Sequence, residues 1–421
     1  MATQQDAIEL IEQGRNVFLS GGAGRGKSYL IDQIYNERTV LLASTGIAAL
    51  NIGGATCHSV FGLPIGLASR QDEITIPFKM REIFCVGSGV DRIIIDEIGP
   101  LRADSFDLID KRLKLLRGSN RPFGGLQMVV VGDLYQIEPI VTRREELHFK
   151  KKYKTPFCFG SNCWDFESVI LTKNYRQENG EQSDILDSIR TQDENFLESL
   201  EKLKKLVKPY KKDEGTLLLC CYKDDAQKIN DEFYSKLEGK ERTFLGEMSG
   251  DMGKRDLLVD SILTLKIGAK VLIKSNNAEE GYYNGDRGVI TEFTTDIDGE
   301  DAVVVITEDG REVEVTKAEW QKFSYTSKGG NLEKEVSGKF KQLPLKLGYA
   351  ITVHACQGMT LDDVAIHFGK GAFAHGQGYV SLSRIRDLTN LMFVKKQTPK
   401  RFQKNFIIRK DVKQFYKEQD Q

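Results

Sequence analysis

Four groups of residues carry types and spacings that could do chemistry. Gly21-Gly22-Ala23-Gly24-Arg25-Gly26-Lys27-Ser28 has the pattern G-x-x-x-x-G-K-S between an apolar run and an amphipathic continuation. In that context backbone N–H groups and a helix N-terminus hold phosphate oxygens, a lysine reaches the β- and γ-phosphates, and a serine hydroxyl ligates Mg2+. Those parts fall to Gly22 through Gly26, to Lys27 and to Ser28. The run "RIIIDEIGP" ends in Asp96-Glu97, and hydrolysis needs one carboxylate near the metal and a second that polarises water. "MVVVGDLYQIEPI" places Asp133 and Gln136 at another strand end, where a carboxamide could sense a γ-phosphate or simply cap a turn. Arg176 in "LTKNYRQ" and Arg384 in "GYVSLSRIRD" are candidate fingers for charge developing on a transferring phosphoryl group, a role worth ~10³–10⁵ in rate.

The elements that would position these groups follow from the apolar pattern. β-type runs at 16–20, 39–44, 92–96, 127–132 and 169–171 alternate with helical stretches, and four of the five run into Gly, Ser, Thr or Asp. That is the layout of a parallel sheet with functional loops at its carboxyl ends. The pattern lapses at 61–88, a small insertion. "GTLLLCCYKDDAQKINDEFYSKL" reopens α/β texture, short strands dominate from about residue 255, and Asn284-Gly285 signals a hairpin turn. From Leu345 onward "VAIHFG" and "NLMFVK" resume the α/β texture. The expected organisation is therefore a first lobe over 1–60 and 89–170, the insertion at 61–88, a second lobe over 171–254 and 344–421, and an inserted β module at 255–343.

Composition sets bounds on function. At 421 residues, 40% hydrophobic and 29% charged, the chain reads as a soluble protein of two or more domains. No apolar run approaches the roughly 18 residues that span a bilayer, and no signal peptide opens the chain, so a cytoplasmic protein of bacterial or phage type with no membrane partner is expected. The seven cysteines have neither C-x-x-C nor zinc spacing. The formal net charge of −1 argues neither for nor against nucleic acid, because a strand held in a cleft needs only local basic lining.

In sequence order these segments resemble the Pif-type (petite integration frequency) DNA helicases of superfamily one, from about Gln4 to Val394. "GGAGRGKS" is similar to motif I, "ASTGIAALNIGGATCHSVFG" to motif Ia, and "IIIDEIGPLRADSFDLIDKRLKLLR" to motif II with the family's signature segment. "RPFGGLQMVVVGDLYQIEPI" looks like motif III, "KNYRQ" motif IV, "LGYAITVHACQGMTL" motif V and "GYVSLSRIRDL" motif VI. The resemblance implies two RecA-like parallel-sheet lobes of the P-loop NTPase class, with ATP in the cleft between them. It also implies a wedge in the first lobe and a Src-homology-like β-barrel in the second. It makes Lys27, Ser28, Asp96, Glu97, Gln136, Arg176, Gly358 and Arg384 the ATPase set, with Glu97 as general base. Tyr175 would stack on adenine and Gln4, or in a shifted register Gln5, would read its edge. Thr45, His58, Phe61, Thr352 and His354 would touch single-stranded DNA; without the family, His58, Phe61 and His354 read more simply as core or supporting residues.

The implied activity is ATP- and Mg2+-dependent 5′-to-3′ translocation on single-stranded DNA, by a functional monomer. Its substrates would be duplexes with a 5′ tail and G-quadruplexes, in genome maintenance. An alternative is a translocase or RNA:DNA-hybrid remodeller with weak duplex unwinding. Another is a nucleotide-gated DNA-binding module, which would not need Glu97 together with two arginines. Departures from the family pattern are Arg25 for threonine, Ser44 for proline, Gly99-Pro100 for Ser-Met, and Ala355 for the lysine of "HKxQG". The last predicts the loss of one backbone-phosphate contact.

Overall fold

The computed structural model describes residues 3–173, 180–211, 215–254, 256–356, 359–395 and 397–419. The chain divides into two compact units, one of Met1–Glu178, Gln321–Ser337 and Ile408–Gln421, the other of Asn179–Trp320 and Gly338–Ile407.

The first unit is built on six parallel strands: β1 (Val17–Gly21), β2 (Thr39–Ala43), β3 (Ala55–Thr56), β4 (Arg92–Asp96), β5 (Gln127–Gly132) and β6 (Glu167–Leu171). They lie in the order β3-β2-β4-β5-β1-β6. Their sequences are near-continuous Val, Ile and Leu because both faces of a parallel sheet are covered; Val17, Phe18, Leu19, Ile93, Ile94 and Ile95 are all fully buried. Register is what gathers the chemistry. Ser20 pairs with Gly132 and Ala43 with Asp96, so the strands end level, and the loops after β1, β2, β4 and β5 leave one edge together.

Two segments expected elsewhere belong to this unit. The helix Lys410–Gln419, expected with the second lobe, buries Val412, Phe415 and Tyr416 in the first unit's core. Phe415 stacks on Phe159 at 4.4 Å and Tyr416 on Tyr135 at 4.7 Å, while the Tyr416 hydroxyl bonds Ser20 and accepts from the Leu134 N–H at 3.2 Å. The second segment is 321–337, the end of the hairpin formed by Ala318–Lys328 and Asn331–Gln342. Its Tyr325 is fully buried, donating to the Leu41 carbonyl at 3.3 Å and accepting from the Leu41 N–H at 3.2 Å. That hydroxyl supplies the backbone partner that the short β3 cannot provide along β2.

The second unit holds a five-stranded parallel sheet in the order Ala350–Thr352, Leu217–Cys220, Val364–His367, Leu391–Phe393 and Lys208–Pro209. The β module packs around Leu265, Val271, Ile273, Val303, Val305 and Val315, on an antiparallel sheet running Glu312–Val315, Asp301–Thr307, Arg287–Thr295, Lys270–Ile273, Leu345–Leu347. Asn284-Gly285 is not a two-residue hairpin turn. The paired strands Lys270–Ile273 and Arg287–Thr295 are joined by the whole of 274–286, in which Gly285 (φ 111°) donates its N–H to the Ile273 carbonyl at 3.0 Å. Among the described residues no helix is long and apolar enough to cross a membrane.

Candidate active site

The loop after β1 adopts the conformation its glycines permit. Gly24 and Gly26 have φ of 74° and 79°, in the left-handed region where a Cβ is strained, and Gly26 caps the helix Lys27–Ile34. The Lys27 ammonium folds back over the loop, donating to the carbonyls of Gly21 at 2.8 Å and Gly22 at 2.9 Å. That pose pre-positions a cation above the backbone N–H groups that would hold phosphate oxygens. Gln4, on the helix Gln4–Glu12, donates its side-chain amide to the Gly26 carbonyl at 3.2 Å. The N-terminal glutamine is thus tied to the phosphate loop. Arg25, where the family resemblance expects threonine, is buried.

At the end of β4 the two carboxylates sit in unlike settings. Burial, the neighbouring Glu97 charge and only partial relief from Lys27 push the Asp96 carboxyl well above the usual range. Asp96 Oδ1 accepts the Glu97 N–H at 2.8 Å, and Glu97 takes a left-handed φ of 49°. A non-glycine residue there costs on the order of 1–3 kcal/mol and persists only where neighbours hold it. Ser44 is the holder: its hydroxyl donates to the Glu97 carbonyl and its N–H to the Asp96 carbonyl at 3.2 Å. In the sequence Ser44 stands out only as a departure from the family pattern. Its position after β2, level with Asp96, was the signal available.

The donor set fits Mg2+. Ser28 and Asp96 are hard oxygen ligands, and two protein ligands suit an ion that keeps several waters and takes substrate phosphates. The raised affinity of Asp96 for a proton is that of a buried carboxylate short of positive charge, which a divalent cation would supply. Among the described residues no group of three or more His, Cys, Asp or Glu side chains could form a protein-only metal cage.

Gln136 is buried and donates its carboxamide to Asp133 Oδ2 at 3.3 Å, so Asp133 orients it. In the second unit Arg384 is 4% exposed, and its guanidinium donates to the Ser383 hydroxyl at 3.1 and 3.3 Å. No ion pair to Arg384 occurs among the described residues. A buried guanidinium held only by a hydroxyl is suited to meet an anionic oxygen. Tyr175, Arg176 and Gly358 lie outside the described residues.

The expected DNA contacts divide. Thr45 accepts the Ala48 N–H at 3.3 Å as the cap of the helix Gly46–Asn51, and Thr352 accepts the Ala355 N–H at 3.2 Å within a tight turn. Each hydroxyl keeps its own proton to donate. His58 and His354 are exposed, and surrounding protein atoms push both rings below the usual histidine pKa, Arg102 adding to the effect at His58. Phe61 does not reach solvent: it is 0% exposed and stacks on Phe84 at 5.4 Å. Its ring is wanted by the core between the helices Cys57–Phe61 and Phe78–Phe84, so direct base stacking by Phe61 is ruled out in this structure.

The sequence pattern of the family described as PIF1-like helicase matches residues 2–207. The ATP-dependent DNA helicase PIF1 of Danio rerio is 33% identical over 405 residues, covering 92% of this chain and 60% of that protein, so the chain spans less than two thirds of it. The ATP-dependent DNA helicase Pif1 of Bdellovibrio bacteriovorus is 31% identical, with 93% of this chain and 87% of that protein covered. Unliganded Pif1 from Bacteroides sp superposes with a TM-score of 0.86 at 31% identity, over 99% of this chain and 96% of that one. A Pif1 helicase from Bacteroides in complex with ADP-AlF3 and ssDNA gives 0.66 at 31% identity, over 100% of this chain and 97% of that one. With the phosphate loop, paired carboxylates and buried arginine in the expected order, the chain belongs to the PIF1-like helicase family.

Proposed function

We propose that the protein is an ATP-dependent DNA helicase that moves 5′-to-3′ along single-stranded DNA and separates duplexes carrying a 5′ tail. The observation that carries this reading is Glu97, held in left-handed backbone conformation by Ser44 beside the phosphate loop. A nucleotide switch has no need of a carboxylate so positioned. Relatives named as helicases, and a Bacteroides relative solved with ssDNA and ADP-AlF3, support the DNA substrate.

In this reading Lys27 and the loop amides bind the β- and γ-phosphates, and Ser28 and Asp96 would hold Mg2+, whose chemistry there would be charge neutralisation. Glu97 orients and deprotonates the attacking water, Gln136 contacts the γ-phosphate, and Arg384 and Arg176 neutralise the transition state. Gln4 and Tyr175 hold adenine, and Gly358 lines the same site. Thr45, His58, Thr352 and His354 grip the strand. Segment 61–88 is the wedge, a role supported by the exposed apolar side chains of Ile65, Ile74 and Phe78. Stacking an aromatic ring such as that of Phe78 on a base is worth ~1–3 kcal/mol, comparable with the ~1.4 kcal/mol mean cost of one duplex step. A monomer working in a bacterial-type cytoplasm, with G-quadruplexes among its substrates, completes the reading.

The test is unwinding of matched duplexes bearing a 5′ tail, a 3′ tail or none, with ATP and Mg2+. The 5′-tailed substrate alone should open. Opening of the 3′-tailed substrate would reverse the polarity, and hydrolysis without strand separation would favour the translocase reading.

A further inference from the structure

Ala355 removes a lysine where the family pattern has one, yet the structure brings another ammonium to the same turn. Lys274 follows the strand Lys270–Ile273 of the β module, and its Nζ donates to the Ala355 carbonyl at 3.4 Å and to Met359 Sδ at 3.2 Å. Both are poor acceptors for a charge, one long and one a thioether. Among the described residues no carboxylate pairs with Lys274. Burial and the like charge of Lys346 pull its pKa down to about 8, the mark of a cation short of compensation.

The surroundings are polar and under-satisfied as well. The Ser275 hydroxyl and the Asn284 carboxamide oxygen, in the same 274–286 loop, are buried without a hydrogen-bond partner among the described residues. That loop is pressed against the motif V segment: a Cβ on Gly285 would stand 3.0 Å from the Thr360 carbonyl. The turn it abuts is tight, with the N–H groups of Ala355 and Cys356 both bonded to the Thr352 carbonyl, at 3.0 and 3.2 Å. Thr352, His354 and Ala355 therefore present one short arc of backbone, and the Lys274 ammonium lies against it.

We propose that Lys274, delivered by the β module, is the cation that meets a backbone phosphate of single-stranded DNA at the 352–356 turn, in place of a lysine at 355. This rests on the reading that Thr352 and His354 face the strand. It assigns the β module a direct part in strand grip, and it reverses the expectation that Ala355 costs the protein a phosphate contact.

The test is the salt dependence of dT-oligonucleotide affinity, by fluorescence anisotropy, in the wild type, Lys274→Met, Lys274→Arg and the double variant Lys274→Met/Ala355→Lys. One phosphate contact on a single strand contributes about 0.7 to the slope of log K against log salt. Lys274→Met should lower the slope by about that amount without lowering the unfolding midpoint, since it removes a poorly compensated, half-buried charge. Lys274→Arg should retain the slope and the double variant should regain it. An unchanged slope in Lys274→Met, with Lys274→Gln as a second removal, overturns the proposal while leaving DNA binding intact. A wild type without salt-dependent binding would instead overturn the DNA reading on which it rests.

Discussion

Removing the Ser44 hydroxyl tests how Glu97 is held. Glu97 occupies a left-handed backbone conformation, φ 49°, whose intrinsic cost for a non-glycine residue is ~1–3 kcal/mol. Three contacts oppose that cost: Asp96 Oδ1 to the Glu97 N–H at 2.8 Å, the Ile98 N–H to the Val131 carbonyl at 2.9 Å, and the Ser44 hydroxyl to the Glu97 carbonyl. Ser44→Ala deletes one hydrogen bond of net worth ~0.5–1.5 kcal/mol. At about 1.4 kcal/mol per factor of ten, the population with Glu97 correctly aimed should fall roughly 2- to 10-fold. The expected result in steady-state hydrolysis at saturating single strand is a kcat lowered by that factor. The KM for ATP should stay put, because Lys27 and the loop amides do not depend on Ser44. Glu97→Gln should lose far more, ~10²–10⁴, as removal of a general base does, and Ser44→Ala should add nothing in that background. A kcat unchanged by Ser44→Ala, or a further loss on top of Glu97→Gln, would refute the argument that Ser44 acts through Glu97.

Other consequences are as direct. Phe61→Ala should destabilise the protein by about 3–5 kcal/mol in denaturant unfolding, whereas Phe61→Leu should leave oligonucleotide affinity within twofold; a selective loss of affinity in Phe61→Leu would restore the DNA-contact reading. Tyr325→Phe strips both partners from the Leu41 backbone and should cost about 1–3 kcal/mol, with faster amide exchange at Leu41; unchanged exchange would show the hairpin contact to be idle. Partial desolvation by surrounding protein atoms lowers the pKa of His354 below its unfolded value of about 6.5, so the unfolded chain binds the proton more readily. Its contribution to stability is complete above that pH and is lost as pH falls through it. His354→Gln should therefore flatten the decline of unfolding midpoint between about pH 6.5 and 5, and a steeper decline would contradict the sign.

The first lobe was legible because its signals are local. Each strand is a short apolar run, and each functional group sits at a strand end or within six residues past it, so Lys27, Asp96, Glu97 and Gln136 could be placed from spacing alone. What could not be read is which core an amphipathic segment joins. The 410–419 helix shows an apolar face in sequence, but only the rings of Phe159 and Tyr135 decide that this face belongs to the first unit. The hairpin end around Tyr325 poses the same problem, since its partner Leu41 lies 284 residues away. Phe61 failed for a related reason. A residue inside a nucleic-acid-binding motif can serve that motif by packing under it, and sequence does not separate the two roles. Ser44 and Lys274 act on main-chain carbonyls that no motif marks.

The central claim is that nucleotide hydrolysis is coupled to single-stranded DNA. The measurement that tests it most directly is the steady-state ATPase rate with and without a dT oligonucleotide, with Lys27→Ala as the control. A large stimulation by the strand, abolished in Lys27→Ala, is the predicted result. A rate indifferent to the strand, with Lys27→Ala still inactive, would leave the nucleotide site standing and contradict the motor.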